Sequence, residues 1–242
     1  MSILLAPREW KDTIEYNCLM SLNLSRIHAL CFDVDGTLSD TDDYYVLRLA
    51  SWFRHLPFLR QPERTARRLV MSLESPGNFL MGLADLLSID DELIGLVNWL
   101  YRNSRRPATP LPAIPGIAGM LGEFRHRYPM AVVSAREERS TLTFLEQAGL
   151  RSDFKVIVTA LSASRTKPYP DPVLLAAREL GVAPDSCLMI GDTTVDIRAG
   201  RAAGAQTVGV LCGFGERAEL LRSGADLILS TTTDLRSILL GQ

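Results

Sequence analysis

Six short apolar runs punctuate the chain: "IHALCF" (27–32), "MAVVS" (130–134), "FKVIV" (154–158), "CLMIG" (187–191), "TVGVL" (207–211) and "DLILS" (226–230). Each is continuous rather than alternating, which predicts strands buried on both faces. Between them lie helical stripes, with Ile117, Met120, Leu121 and Phe124 on one face and Val173, Ala176, Ala177 and Leu180 on another. Asp171 and Pro172 read as the N-cap and first residue of the second helix, and Gly181 as its stop. Gly149 and Gly204 end the helices before the third and fifth runs in the same way. Strands separated by helices predict an α/β fold with a doubly wound, Rossmann-like parallel sheet.

One segment breaks the alternation. From 41 to 112 only helical stripes are visible: Val46, Leu49, Ala50 and Phe53; Ala66, Leu69, Val70 and Leu73; Phe79, Leu83 and Leu86; Leu93, Val97 and Leu100. The proline-rich "RPATPLPAIPG" then forms a stiff return to the core. The domains expected are an N-terminal extension (1–25), a core (26–40 and 113–242) and an inserted all-helical domain (41–112). The extension carries Trp10 and Tyr16, which could dock a partner or pack on the protein itself.

Composition narrows the partners. A 242-residue chain that is 47% hydrophobic and 22% charged is ordinary globular material, with room for a large core. A net charge of −2 offers no attraction for nucleic acid or an anionic membrane. No apolar run approaches the roughly 20 residues that span a bilayer, and "MSILLAPREWKDTIEYN" does not read as a signal peptide. The four cysteines lack CxxC spacing, and Cys31 and Cys187 sit within apolar runs, so reduced core thiols in a cytoplasmic protein are expected.

Ligands of doubly wound sheets bind at the carboxyl ends of the strands. Asp33 and Asp35 with Gly36-Thr37 follow the first run here, and Ser134-Ala135 the second. Lys167 lies beyond the third, while Asp192 and Asp196 follow the fourth. Taken singly, an aspartate or serine after a strand is usually a turn or cap residue. Four consecutive strand ends supplying carboxylates, a hydroxyl and a lysine make a site the better explanation. Lysine usage agrees: of 26 Lys and Arg only Lys11, Lys155 and Lys167 are lysines. Ionised carboxylates beside a buried strand also need a counter-charge, from a cation or a metal ion.

"DVDGTLSD", "VVSAR", "TKPYPDP" and "GDTTVDIRAGRAAG" resemble, in order and spacing, the four motifs of the haloacid dehalogenase (HAD) superfamily, over residues 27 to about 230. The inserted segment resembles the helical C1 cap of its phosphoglycolate phosphatase and β-phosphoglucomutase branch. By this resemblance Asp33 is the nucleophile and forms an aspartyl phosphate, while Asp35 is the acid and then the base. Gly36, Thr37, Ser134, Ala135 and Lys167 would hold the phosphoryl group. Mg²⁺ would be bound by Asp33, Asp192 and the Asp35 carbonyl, with Asp196 holding a metal-bound water, orienting Lys167, or serving only its helix. The sequence departs from the family at Ala135-Arg136, where Asn or a small residue often follows the hydroxyl. Arg136 either meets substrate phosphate or starts the next helix as a solvated side chain.

The resemblance implies an Mg²⁺-dependent phosphatase acting on a small phosphorylated metabolite such as phosphoglycolate. Asp35 argues against dehalogenation, because a halide leaves without a proton. The absence of lysine from 41–112 argues against Schiff-base phosphonate hydrolysis. A sugar phosphomutase is the alternative, followed by a non-catalytic binding protein on the same fold.

Overall fold

The computed structural model describes residues 22–40 and 112–241. By compactness the chain divides into one unit of Met1–Asp40 with Pro112–Gln242 and another of Thr41–Leu111, and all described residues belong to the first. The helices expected over 41–112, and all but the end of the 1–25 extension, lie outside the described residues.

Among the described residues, six strands form one sheet: β1 (Ala29–Phe32), β2 (Met130–Val133), β3 (Val156–Val158), β4 (Cys187–Gly191), β5 (Gln206–Val210) and β6 (Leu227–Leu229). Every pairing is parallel, and the order is β3-β2-β1-β4-β5-β6. All six apolar runs become strands, one with its bounds unchanged and five trimmed or shifted by a residue or two at their ends. Among the described residues, six α-helices lie between or after them: α1 (Ile117–Phe124), α2 (Glu138–Gln147), α3 (Asp171–Leu180), α4 (Thr194–Ala202), α5 (Arg217–Ser223) and α6 (Leu235–Leu240). This is the doubly wound, Rossmann-like arrangement that continuous apolar runs demand, because both sheet faces are covered.

The stripe Ile117, Met120, Leu121 and Phe124 is the buried face of α1. Val173, Ala176 and Ala177 of α3 pack with Ala29, Cys31, Ala131, Val133, Cys187 and Met189 in one cluster. Cys31 and Cys187 are free, buried thiols. Phe32 meets Phe154 edge to face, with ring centroids 6.0 Å apart. Among the described residues no helix is long and apolar enough to cross a membrane.

One boundary differs from expectation. Helix α3 starts at Asp171, with Pro170 as its N-cap, so Asp171 and Pro172 each sit one place later than expected. The Asp171 carboxylate caps nothing. Its Oδ1 accepts from the Ser164 hydroxyl at 2.6 Å, and Arg165 pairs with Oδ2 at 3.2 Å. Local side-chain partners draw it away from the helix end. Gly181 does end α3 in a left-handed conformation, at φ 73°.

The topology puts β1 between β2 and β4, so three neighbouring strands end side by side. Phe32 is in register with Val132 and with Ile190, which aligns the residues that follow each strand. Where the chain leaves and rejoins the core, two hydrogen bonds tie outgoing and returning segments: Asp40 N–H to Pro112 O and Ile114 N–H to Leu38 O, both 2.9 Å. Helix α4 lies close against the sheet, because a Cβ on Gly200 would come within 2.7 Å of Thr207 and 2.8 Å of Met189.

Two glycines therefore respond to the same substitution with opposite signs. Gly119, exposed in α1 with open space around it, gains about 0.5–1 kcal/mol as Gly119→Ala, from helix propensity and a less flexible unfolded chain. Gly200→Ala loses stability, because Thr207 and Met189 must move. Urea midpoints measured side by side check the pair, and a stabilised Gly200→Ala would contradict the packing.

Candidate active site

Asp33, immediately after β1, is tied into the sheet by its N–H, which donates to Ile190 O at 2.9 Å. The following loop folds back on Val34, whose carbonyl accepts from the Leu38 and Ser39 N–H groups at 2.9 and 2.8 Å. Gly36 turns this loop at φ 66°. It is doubly constrained, since a Cβ there would overlap the Asp192 carboxylate. Thr37 is buried, its hydroxyl 3.4 Å from Asp192 Oδ1, while its carbonyl accepts from Thr232 Oγ1 at 2.6 Å.

Lys167 is buried with its ammonium between two carboxylates. It donates to Asp33 Oδ1 at 2.7 Å and to Asp196 Oδ1 at 2.6 Å. Asp196 is the third residue of α4, where its Oδ2 accepts from the Thr193 N–H (3.1 Å) and Oγ1 (2.6 Å) in a capping box. One carboxylate thus caps a helix and orients the lysine. Asp192, fully buried, receives the Phe214 N–H on Oδ2 at 2.8 Å. Gly213 and Gly215 lie so close to Asp192 that a Cβ on either would collide with it.

Ser134, buried after β2, accepts the Arg136 N–H at 3.1 Å and keeps its own hydroxyl proton for donation. Ala135 is exposed beside it. The Arg136 guanidinium is not a solvated start to the next helix, which begins at Glu138. It grips Asp35 in two-pronged fashion, Nε to Oδ2 and Nη2 to Oδ1.

Asp33, Asp192 and Asp196 can each bring a carboxylate oxygen within 4.8 Å of the others. Burial pushes Asp33 from 3.8 up to about 7; Lys167 opposes that rise, and Asp196 and Asp35 add to it. Burial likewise lifts Asp192 well above its ordinary value, Asp196 and Asp33 add to the effect, and the Phe214 N–H counters it. For Lys167 burial disfavours the ammonium, but Asp196 and Asp33 outweigh it and raise its pKa. Three acids around one ammonium leave negative charge uncompensated, and Asp192 is met by only neutral donors among the described residues. An oxygen-rich, buried, anionic cluster of this kind fits a hard divalent cation. Asp196 is the least suited of the three to bind it directly, since both of its oxygens already accept hydrogen bonds.

Sequence reasoning brought Asp33, Asp35, Gly36, Thr37, Ser134, Lys167, Asp192 and Asp196 to one sheet edge, and the structure collects them there. It missed Phe214 with its flanking glycines, Thr193, and the grip of Arg136 on Asp35. The one available signal was "GFG" after the fifth apolar run, an unusual pair of glycines at a strand end.

The raised pKa of Asp33 sets a stability slope. A folded-state value of about 7 against 3.8 means the native state holds a proton that the unfolded state releases. That stability is fully present below 3.8 and is lost as pH rises through about 7. In EDTA, the Tm of wild type is expected to fall relative to Asp33→Asn between pH 5 and 8. A divalent cation that binds this cluster should raise wild-type Tm more at pH 8 than at pH 5.5, because it would compete with the proton. Parallel Tm profiles for the two proteins would remove Asp33 as the source of the slope.

Comparison with known proteins supplies the kinship. The sequence pattern described as haloacid dehalogenase-like hydrolase matches residues 30–210, which contain every residue of the site except those around Phe214. Pyrophosphatase PpaX of Bacillus pumilus is 30% identical over 90% of this chain and 98% of its own length. A phosphoglycolate phosphatase of Chromobacterium violaceum is 29% identical over 90% and 99%. A hydrolase from Pseudomonas syringae superposes with a TM-score of 0.65 at 28% identity, covering 88% of this chain and 98% of that one. With motifs, sheet order and relatives in agreement, the chain belongs to the haloacid dehalogenase-like hydrolase family and is an enzyme.

Proposed function

We propose that this enzyme is an Mg²⁺-dependent phosphatase that hydrolyses a small phosphomonoester through an aspartyl phosphate on Asp33. The observation that carries the reading is the buried Lys167 ammonium bridging Asp33 and Asp196 beside Asp192. Such a lysine neutralises the nucleophile in the resting site and the phosphoryl group once it arrives. Asp33 attacks phosphorus in line with the departing alkoxide, and Asp35 delivers the proton that alkoxide needs. The Ser134 hydroxyl and the Ala135 N–H are the donors for a phosphoryl oxygen, with Gly36 allowing the loop to approach closely. Asp33, Asp192 and the Asp35 carbonyl would hold Mg²⁺, which when bound supplies positive charge against the phosphoryl oxygens.

Residues 41–112 are proposed as a cap that governs which molecules reach phosphorus. Their readable stripes are apolar and their basic residues are arginine, without a run of sugar-binding Asn, Gln or His. That composition, together with relatives named as a phosphoglycolate phosphatase and a pyrophosphatase, favours small anionic substrates and water as the acceptor.

The deciding experiment is a panel of phosphate esters with Mg²⁺, followed by phosphorus NMR. It should include phosphoglycolate, pyrophosphate, and β-glucose 1-phosphate with a bisphosphate activator. Stoichiometric inorganic phosphate from one or more short esters is expected, without an isomeric phosphate product. Glucose 6-phosphate appearing faster than free phosphate would instead make the enzyme a mutase. Asp33→Asn should remain folded and lose about 10³-fold or more in turnover, because a neutral amide is a poor nucleophile.

A further inference from the structure

The grip of Arg136 on Asp35 spans the ends of β2 and β1, and both ends are anchored. Arg136 is held by its main chain, its N–H on Ser134 Oγ at 3.1 Å and its carbonyl accepting from the Ala160 N–H at 3.0 Å. Asp35 is held by a backbone bridge to Ser39. The Arg136 side chain is 17% exposed and that of Asp35 31%, so the pair lies at the mouth of the site rather than out in solvent. A guanidinium fork fixes the plane of a carboxylate as well as its position, and a lysine cannot reproduce that.

We propose that Arg136 is a positioning residue for the second half of the reaction, in which water attacks the aspartyl phosphate. This rests on the reading of Asp33 and Asp35 given above. In that step the water oxygen bonds to phosphorus as the bond from phosphorus to the Asp33 carboxylate oxygen breaks. The water proton passes to Asp35, and inorganic phosphate departs with Asp33 restored. Asp35 must then be aimed at the water, and a two-pronged guanidinium fixes that orientation. In the first half, a leaving group that departs without a proton makes no use of Asp35, so for such a substrate the fork matters only to the second half. Arg136 therefore acts on one half-reaction selectively.

The test follows turnover of p-nitrophenyl phosphate with Mg²⁺ under rapid acid quench, scoring phosphoenzyme by intact-protein mass. Its phenolate leaves readily, so kcat/KM reports phosphorylation with little demand for an acid. In Arg136→Met, kcat is expected to fall about 10–100-fold while kcat/KM stays within about threefold, and most of the enzyme should be trapped as phosphoenzyme. Arg136→Lys should fall between wild type and Arg136→Met on each measure. A loss of kcat and kcat/KM together without phosphoenzyme, or a wild-type profile in Arg136→Met, would overturn the proposal. Asp35→Asn separates the two levels of the argument. Phosphoenzyme accumulating in Asp35→Asn but not in Arg136→Met sinks the role of Arg136 alone. Its absence from Asp35→Asn, with turnover surviving in Asp33→Asn, sinks the aspartyl-phosphate reading and the role of Arg136 with it.

Discussion

Everything at the end of the sheet is organised by one buried ammonium. Lys167 lies in the loop after β3, Asp33 follows β1, and Asp196 sits in the first turn of α4, so a single side chain connects three separate parts of the core. Burying an ion is expensive, and the expense is recovered only where geometry is close and each group has partners. Both donations by Lys167 are short, and the remaining Asp196 oxygen is satisfied by Thr193. Removing any member would strand charge in a largely buried region. The network is therefore a poor choice for stability alone, since apolar side chains of similar volume would serve as well. Its placement at a strand edge points to chemistry.

Asp192 is enclosed by a different device. Two loops close on it through glycines, Gly36 from the β1 side and Gly213 and Gly215 from the β5 side, with the Phe214 N–H between them. Backbone can approach a carboxylate more closely than any side chain allows, and an N–H supplies directed partial charge without a counterion. The acid is thereby fixed in place while part of its charge stays uncompensated.

The sheet was legible because its physics is local. A continuous apolar run flanked by glycine and helical stripes has few other readings, and all six runs became strands in a single parallel sheet. The acids and the lysine were legible because strand ends in such sheets converge. Contacts between distant loops were harder to see. Nothing in "VVSAR" declares that Arg136 will turn to Asp35, because that depends on the spacing of β1 and β2 and on an anchored main chain. Phe214 acts through its backbone N–H, a group that every residue but proline possesses, so its identity carries no signal. Asp171 was displaced by one position because Ser164 and Arg165 compete for its carboxylate, a contest between neighbours that spacing rules do not weigh.

The hydrogen bonds joining Asp40 to Pro112 and Leu38 to Ile114 bear on how such a chain can diversify. They close the core across the interruption, so its continuity does not depend on what lies between. The entropy of closing a loop grows only with the logarithm of its length, about 0.6 kcal/mol for each doubling. The doorway at 40 and 112 is thus nearly indifferent to the size of the segment it admits. Like a threshold built to one width, it sets how far apart the two ends of the segment stand and leaves the length of what hangs between them open.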